Sequence, residues 1–314
     1  MRVRGAALLM ALVVAALATL IVSGLFWRQF VLVRTIENQQ LMSQSRLLLR
    51  GALDWARSIL REDAAHQPYV ALSQPWAQPL AETRLDQLGE SSALASQASM
   101  SGSMEDAQSR LNLRNLVGAN GSIDLAQHTV LANLVSELSL PAPTADLISA
   151  YVIQTSPFAG AAPPTGTGAQ TGSAPPPLPL VFPEDVARVP GLDPAVGPRL
   201  APYVVMLDAA PTPVNFNTAS AEVIAAELSL PLSDARGVVA DRDRTPFINT
   251  GNIRGRLVGR GTNFSDNNVS VSSNYFFIRG EIKLQRADTR MEALIKRAAP
   301  GPPGRVDVLW EREL

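Results

Sequence analysis

The hydrophobic pattern of this chain opens with an unbroken apolar run from Ala6 to Trp27 that contains no charged side chain. At the rise of an α-helix, this run spans about 30 Å, the thickness of the hydrocarbon core of a bilayer. Arg2 and Arg4 precede the run, and Trp27 and Phe30 mark its other end, where aromatic side chains favour the membrane interface. The pattern predicts a transmembrane helix over residues 6–27, with a cytoplasmic N-terminus and the bulk of the chain on the other side.

Helical periodicity continues beyond the predicted membrane segment. Between residues 29 and 65, apolar residues recur near the spacing of an amphipathic helix, with charged residues between them. The apolar positions of this predicted face are Val33, Ile36, Leu41, Leu48, Ala52, Trp55 and Ile59. One long helix, half in lipid and half outside it, is the simplest interpretation.

The pattern changes to a period of two near the C-terminus. Residues 275–284 alternate apolar and charged side chains, which predicts a half-buried strand with an apolar face of Phe276, Ile278, Ile282 and Leu284. Residues 305–314 repeat the alternation more weakly. We therefore expect a strand pair that closes a sheet against the long helix.

Two stretches follow neither period. Residues 66–110 are polar and interrupted by prolines, with 74–88 predicted as turns or extended chain and 91–104 as a flexible connection. Residues 157–183 are rich in proline and glycine and carry no charge, which predicts an exposed loop or linker.

An internal repeat lies on both sides of that loop. The pentapeptide ELSLP occurs at 137–141 and again at 227–231, and each copy ends one helical pattern and precedes a second. An asparagine-containing segment stands before each copy, at 111–117 and 214–220. The repeat predicts two small units of helix, proline-containing hairpin and helix. A chance match of a short apolar pentapeptide is the alternative interpretation.

Composition narrows the functional classes. Lysine and arginine number 27, aspartate and glutamate 28, and the net charge is −1, so no overall field favours nucleic acid. The chain has no cysteine and two histidines, His66 and His128, which leaves little material for thiolate chemistry, an imidazole zinc site or a Ser-His-Asp triad. We therefore predict no catalytic residue and do not expect an enzyme.

Three polar features have simple structural interpretations. His66 is predicted at the exposed end of the long helix. Asp241 and Asp243 have a spacing that could serve a metal, but the arginines interleaved with them favour a solvated, salt-paired helix end. Helix capping and turn stabilisation account for the polar group Asn215, Asn217 and Thr218.

The N-terminal residues resemble the leader of type IV prepilins and pseudopilins, in which a very short charged segment ends in glycine directly before the apolar helix. The resemblance implies that prepilin peptidase cuts between Gly5 and Ala6, with methylation of the new N-terminus. Met10 is then the fifth mature residue, where most relatives carry a glutamate that pairs with the subunit ahead, so this position marks a tip subunit. A secretory signal peptide cut near Val22 and Gly24, and an ordinary membrane anchor, are the alternatives.

Residues 214–228 and 245–253 resemble two families at once, the competence-type helix-hairpin-helix DNA-binding module and general secretion pathway protein K. A DNA-binding hairpin needs glycines so that backbone N–H groups can approach phosphate. Both hairpins here contain proline and no glycine, and an acidic residue follows each. These features favour protein K, and a membrane-anchored DNA-uptake protein is the alternative.

The resemblance to protein K extends in order along almost the whole chain. It is carried by the leader, by Met10, and by the segments 74–80, 106–116, 183–204, 214–228 and 275–284. It implies an α+β, pilin-like fold with a large inserted α-helical domain of helix-hairpin-helix-like (SAM-like) repeats. It also implies a minor pseudopilin at the tip of the periplasmic pseudopilus of the type II secretion system, which helps initiate assembly for protein export. A minor pilin of a type IV pilus is the remaining alternative.

The same resemblance implies partners and a location. The expected partners are minor pseudopilins I and J, pseudopilin H, the major pseudopilin and prepilin peptidase, with no nucleic acid. The expected location is the bacterial inner membrane, crossed once, with the C-terminal domain in the periplasm. Relatives bind calcium through an acidic loop where this chain has the uncharged residues 157–183, so we predict no cofactor and no metal site.

These inferences give a predicted domain organisation. It consists of a leader (1–5), a transmembrane segment (6–27), a periplasmic helix with the first part of the pilin-like domain (28–110), an inserted helical domain (111–258) and the C-terminal strands (259–314). The proline- and glycine-rich loop lies within the inserted domain.

Overall fold

The computed structural model of the chain describes residues 3–89, 95–156, 177–257, 264–297 and 304–314. Its first element is one uninterrupted helix, α1 (Val3–His66). Between residues 8 and 40 no α1 side chain is buried, and Leu41 begins the buried face. The prediction of one long helix is therefore confirmed, and the placement of its first half in lipid stays a prediction.

The strands, in chain order, are β1 (Leu80–Arg84), β2 (Ala98–Asp106), β3 (Leu111–Asn112), β4 (Val204–Val205), β5 (Val214–Asn215), β6 (Val269–Ser270), β7 (Tyr275–Leu284), β8 (Ala287–Arg297) and β9 (Val306–Glu313). Five of them form an antiparallel sheet in the order β1-β2-β7-β8-β9. The pairing of β2 with β7 joins strands that are distant in sequence, and everything between them is an insertion.

One face of the sheet packs against α1. The predicted apolar face of β7 is confirmed, since all four of its residues are buried in the core that α1 covers. The predicted face of α1 is wrong at Trp55, which is 48% exposed. Leu41 is buried as predicted, and Ser45 is buried as well. The other buried residues of α1 lie one position after predicted ones, at Leu49, Leu53, Ala56 and Leu60.

The flexible connection predicted for residues 91–104 is wrong over its second half. Residues 98–106 form β2, which lies between β1 and β7. Its alternate residues Ala98 and Met100 are buried in the core beneath α1. Gly102 permits close packing, because a Cβ there would lie 2.9 Å from the carbonyl oxygen of Arg279. Pairing on both sides thus overrides the weak strand propensity of serine and glycine.

The insertion between β2 and β7 contains the remaining helices, which are α2 (Leu125–Glu137), α3 (Thr144–Thr155), α4 (Val196–Leu200), α5 (Ala221–Leu228), α6 (Leu232–Arg244) and α7 (Thr250–Arg256). Two short parallel pairs, β3 with β4 and β5 with β6, complete it. The insertion extends past the predicted end at residue 258, because β6 pairs with β5 inside it. The long helix, antiparallel sheet and helical insertion confirm the predicted α+β class.

The two repeat units of the insertion end their first helices in the same way. The serine of each ELSLP segment is left-handed, with φ of 49° at Ser139 and 52° at Ser229. The N–H of the next leucine donates to the carbonyl five residues earlier, at 2.9 Å in the first copy and 3.0 Å in the second. This is the Schellman motif of helix C-termini. The sequence repeat is therefore a structural repeat.

The asparagine ahead of each unit also has an equivalent local role. Asn112 and Asn215 are buried, and each Oδ1 accepts a hydrogen bond from the N–H two residues later, at 3.1 and 3.0 Å. The side-chain amides donate in different directions, Asn112 to the carbonyl of Ala209 inside the insertion and Asn215 to the carbonyl of Val70, just after α1. The second unit therefore attaches the insertion to the rest of the fold.

Asp106, at the end of β2, forms the junction between sheet and insertion. Its Oδ2 accepts hydrogen bonds from Asn215 at 2.8 Å, Thr218 at 2.5 Å and Ser273 at 2.6 Å, and its Oδ1 accepts from the N–H of Gln108 at 2.8 Å. Burial raises the pKa of the Asp106 carboxyl, and the hydrogen bonds from Ser273, Thr218 and Asn215 oppose that rise. The interpretation of Asn215 and Thr218 as caps and turn formers was therefore incomplete, since both also bind Asp106.

Arg297, a buried residue at the end of β8, connects the same junction to α1. Arg297 Nη1 donates to the carbonyl of Leu60 and to Asp63 Oδ2, both at 3.2 Å, and Nε donates to the carbonyl of Ser273 at 3.0 Å. Its guanidinium lies over the ring of Phe276. The sheet, the C-terminal end of α1 and the insertion thus meet in one polar cluster, at the end of α1 opposite its apolar segment.

Replacement of Asp106 by alanine should destabilise the fold by about 3 kcal/mol, because it leaves the buried donors of Asn215, Thr218 and Ser273 without an acceptor. Chemical denaturation of the purified full-length chain in detergent measures this. Asp106→Asn should lose less, because it keeps one carbonyl acceptor.

The matched control for this substitution is Asp54→Ala, since Asp54 pairs with Arg57 on the surface of α1 and its side chain is 70% exposed. We expect a change within about 0.5 kcal/mol there. If Asp106→Ala and Asp54→Ala had equal free energies of unfolding, the buried contacts of Asp106 would not stabilise the fold more than a surface ion pair does.

Candidate assembly surfaces

The free half of α1 is the first candidate surface. It belongs to the one helix in the described part of the chain that is long and apolar enough to cross a membrane. Met10 is 73% exposed on it, and no carboxylate occurs in the chain before Glu37. Gly5 and Ala6 lie in the first turns of α1. Cleavage between them and the role of Met10 stay predictions.

A second candidate surface lies on the side of α1 that faces away from the sheet. Leu47 and Trp55 are 69% and 48% exposed, and Gly51 between them has no atom within 4 Å of the position that its Cβ would take. Because these residues are four apart, they share one face of the helix. We call Leu47, Gly51 and Trp55 the outer stripe. Large apolar side chains on both sides of a glycine provide a site where a second helix can pack closely.

The tip of the β7–β8 hairpin fixes the point where α1 leaves the folded domain. Arg286 Nε donates to Asn38 Oδ1 at 2.8 Å, and its Nη2 donates to Glu37 Oε2 at 3.0 Å. Arg34 donates to the same carboxylate oxygen at 3.2 Å. The hydrogen bond from Arg286 lowers the pKa of Glu37. The contact between Arg286 and Glu37 could not be predicted from local sequence patterns, because the two residues are 249 positions apart.

The hairpins of the two repeat units offer few donors to phosphate. The leucine N–H of each ELSLP segment is already used in the Schellman motif, and the prolines that follow, Pro141 and Pro231, have no N–H. Exposed Asp146 and Asp234 stand in the first turns of α3 and α6. The arrangement therefore offers fewer backbone donors than a glycine-containing DNA-binding hairpin.

The interpretation of residues 241–244 as a solvated, salt-paired helix end is wrong for Arg242. Its side chain is 5% exposed, and Nη1 donates to the carbonyls of Phe216 and Ala219, at 2.6 and 2.5 Å. Burial lowers the pKa of Arg242. Asp243 lies 3.5 Å from its Nε and is 59% exposed. Arg242 thus connects α6 to the segment that leads into α5.

Two other polar residues have structural contacts. His66 is the last residue of α1, and its Nδ1 lies 2.9 Å from the carbonyl oxygen of Glu62. Asn217 binds the backbone of Phe247 with both ends of its amide, each at 2.8 Å. Capping and turn formation therefore do not describe Asn217, which joins the segment before α5 to the one after α6.

Metal ligands were not expected, and the described residues contain no group of three or more His, Asp or Glu side chains that could hold a metal ion. Most of the loop on which that expectation depends, residues 157–176, lies outside the described residues. The absence of a cofactor stays a prediction.

A cleft of about 810 Å³ lies in the insertion, between the start of α2, the end of α3 and residues 206–211. Two carboxylates line it among the described residues. Asp124 caps α2 by accepting from two backbone N–H groups. Asp208 accepts from the Tyr275 hydroxyl at 2.5 Å and from Lys296 at 2.9 Å. Both carboxylates are thus held in structural contacts.

The chain matches two family models, both described as type II secretion system (T2SS), protein K. One covers residues 109–209 and the other residues 214–272. Together they span just over half of the chain, and they meet between the two repeat units. The two models therefore divide the insertion where its sequence repeat does.

The similarity to known proteins extends over a longer part of the chain than the family models cover. Type II secretion system protein K of Pseudomonas aeruginosa is 26% identical over 322 aligned positions, which cover 97% of this chain and 91% of that protein. A chain in the crystal structure of the GspK-GspI-GspJ complex from enterotoxigenic Escherichia coli superposes with a TM-score of 0.67 at 22% identity, covering 88% of this chain and 98% of that one. The chain thus shares its fold with that chain of the complex, and the predicted pilin-like architecture is confirmed. The chain belongs to the protein K family, the minor pseudopilins of the type II secretion system that carry a large helical insertion.

Proposed function

We propose that this minor pseudopilin occupies the tip of a pseudopilus and helps to start its assembly. The observation that carries the proposal is the position of the insertion, which is fixed beyond the C-terminal end of α1 by Asp106 and Arg297. In a fibre whose subunits stack along their N-terminal helices, the subunit ahead would need that space. A subunit with such a head is compatible with the tip position only.

Met10 supports the same position. A glutamate in the apolar segment is costly in lipid unless a neighbouring subunit neutralises it, and a first subunit has no neighbour ahead. The chain has no carboxylate before Glu37, so the segment can remain in lipid without such a partner. This agrees with a subunit that enters the fibre first.

The partners we propose are minor pseudopilins I and J, which bind along the outer stripe of α1. The structurally similar chain comes from a complex of GspK with GspI and GspJ. The outer stripe is the apolar surface of the folded half of α1 that this chain leaves open, with Leu47 and Trp55 on either side of Gly51. A helix from a partner would bury both large side chains.

The proposed location is the inner membrane, crossed once by α1, with the sheet and insertion in the periplasm. Arg2 and Arg4 favour retention of the N-terminus in the cytoplasm. Prepilin peptidase then removes Met1 to Gly5 before assembly.

Co-expression with prepilin peptidase should shorten the chain by five residues, because Gly5 directly precedes the apolar helix as in prepilin leaders. Intact-mass measurement of the purified protein reads the N-terminus directly. Gly5→Leu should block the cleavage, while Val3→Leu should leave it unchanged. Retention of Met1 to Gly5 in the native chain, or cleavage near Val22, would reject the leader.

Replacing Trp55 and Leu47 by alanine should weaken the complex with pseudopilins I and J by about tenfold to a hundredfold, since buried aromatic anchors dominate interfaces of this kind. Titration of the purified chain with the two partners, followed by size-exclusion chromatography, measures the change.

The control for the outer stripe is Leu125→Ala, because Leu125 is a similarly exposed leucine, at 72%, on helix α2 of the insertion. It should leave the affinity within about twofold, the effect of a surface change away from the interface. If Leu125→Ala weakened the complex as much as Leu47→Ala, the outer stripe would not be the binding surface.

A further inference from the structure

The apolar surface of α1 does not end where the 22-residue hydrocarbon-spanning run ends. The next residues include five large apolar side chains that are 45–61% exposed, namely Phe30, Val31, Leu32, Val33 and Ile36. From Leu8 to Ile36 the helix measures about 43 Å, which matches a bilayer with both of its headgroup layers. In a subunit that has not yet joined a fibre, this second stretch therefore lies among lipid headgroups.

Arginines accompany this stretch. Arg28 is exposed and has no ion pair among the described residues, and its guanidinium can extend to the headgroups from the edge of the hydrocarbon. Arg34 lies six residues later, on another side of the helix, with its guanidinium over the ring of Phe30 at 5.3 Å. The two charges thus lie on different sides of the helix, about 9 Å apart along its axis.

A third arginine reaches the level of Arg34 from the sheet, since both donate to Glu37 Oε2. Arg286, at the tip of the β7–β8 hairpin, is held against α1 by Asn38 and Glu37, directly after Ile36. Two of its five N–H groups are used in these contacts, which leaves others free to donate. The hairpin contacts thus place the guanidinium of Arg286 at the membrane surface. Glu37 is the acidic residue that faces these arginines, and it neutralises one of the three charges.

We propose that Arg28, Arg34 and Arg286 form an arginine collar that binds the phosphates of anionic phospholipids on the periplasmic face of the membrane. The bound lipid would hold the hairpin tip against the bilayer and keep the folded domain upright before assembly. The choice of lipid over a soluble anion follows from the continuity of the collar with the apolar surface of residues 30–36. The assignment of the bound lipid to the periplasmic leaflet rests on the membrane orientation proposed above. The binding of anionic lipid itself does not depend on that orientation.

The test is the lipid preference of the full-length chain, measured by electron paramagnetic resonance in phosphatidylcholine vesicles that contain trace spin-labelled phosphatidylglycerol or spin-labelled phosphatidylcholine. Arg2 and Arg4 are replaced by glutamine throughout, because they would bind anionic lipid on the opposite face. With the collar intact, we expect phosphatidylglycerol to be preferred by about fivefold or more, since each arginine near a surface contributes about that factor. Arg28→Gln, Arg34→Gln and Arg286→Gln combined should bring the preference close to one.

The matched control is Arg305→Gln, since the side chain of Arg305 is 86% exposed. Arg305 directly precedes β9, and it lies near the end of β8 that is opposite the hairpin tip. The Arg305→Gln chain should retain the full preference. Equal binding of both lipids by the parent chain, or an equal loss with Arg305→Gln, would overturn the proposal.

Failure of this proposal can be told apart from failure of the assembly function. The collar variants keep the outer stripe, so they should bind pseudopilins I and J as the parent chain does, in detergent without anionic lipid. A collar variant that still preferred phosphatidylglycerol but no longer bound pseudopilins I and J would contradict the arginine collar. It would not contradict the assembly function.

Discussion

The buried carboxylate of Asp106 is the interaction on which the arrangement of this molecule depends. It ends a central strand, and three side chains from the insertion, Asn215, Thr218 and Ser273, converge on one of its oxygens. A buried carboxylate is costly without such partners, so the insertion cannot move away from β2 without leaving an unpaired charge. Arg297 extends the same cluster to the end of α1. These polar contacts fix the insertion relative to the long helix together with an apolar cluster, in which Val205 and Leu207 pack against Tyr275, Phe277 and Leu294 of the sheet.

The repeat explains how one motif serves two tasks. Asn112 and Asn215 form the same turn, but the first binds within the insertion and the second reaches the chain after α1. The second unit thus contributes one attachment of the insertion to the rest of the fold, in addition to the contacts of Asp208 with Tyr275 and Lys296. The outer stripe and the arginine collar lie along α1, away from this attachment. The attachment of the insertion and the surfaces proposed for partner binding and membrane contact are in this way separated along one helix.

Much of the fold could be predicted because its signals are local. The apolar run, the alternation in β7 and the duplicated ELSLP segment each follow from spacing in the sequence. What could not be predicted depends on distant pairs. The strand β2 is rich in serine and glycine and exists because β1 and β7 flank it. Apolar residues of α1 recur on more than one side of the helix, so their spacing does not show that Ala56 is buried and Trp55 is exposed. Asp106, Arg242 and Arg286 resemble ordinary surface charges until the fold brings their partners to them. Membership of the protein K family also excludes the competence-type and type IV pilus alternatives.

The central claim is that the insertion is a rigid head fixed beyond the end of α1. Because the chain has no cysteine, spin labels can be attached to single cysteines introduced at the exposed positions Ser58 and Thr129, one on α1 and one on α2. Pulsed electron–electron double resonance then measures the distance between the two domains. The account predicts one narrow distribution, which broadens when Asp106 is replaced by alanine. A broad or two-peaked distribution in the native background would contradict it.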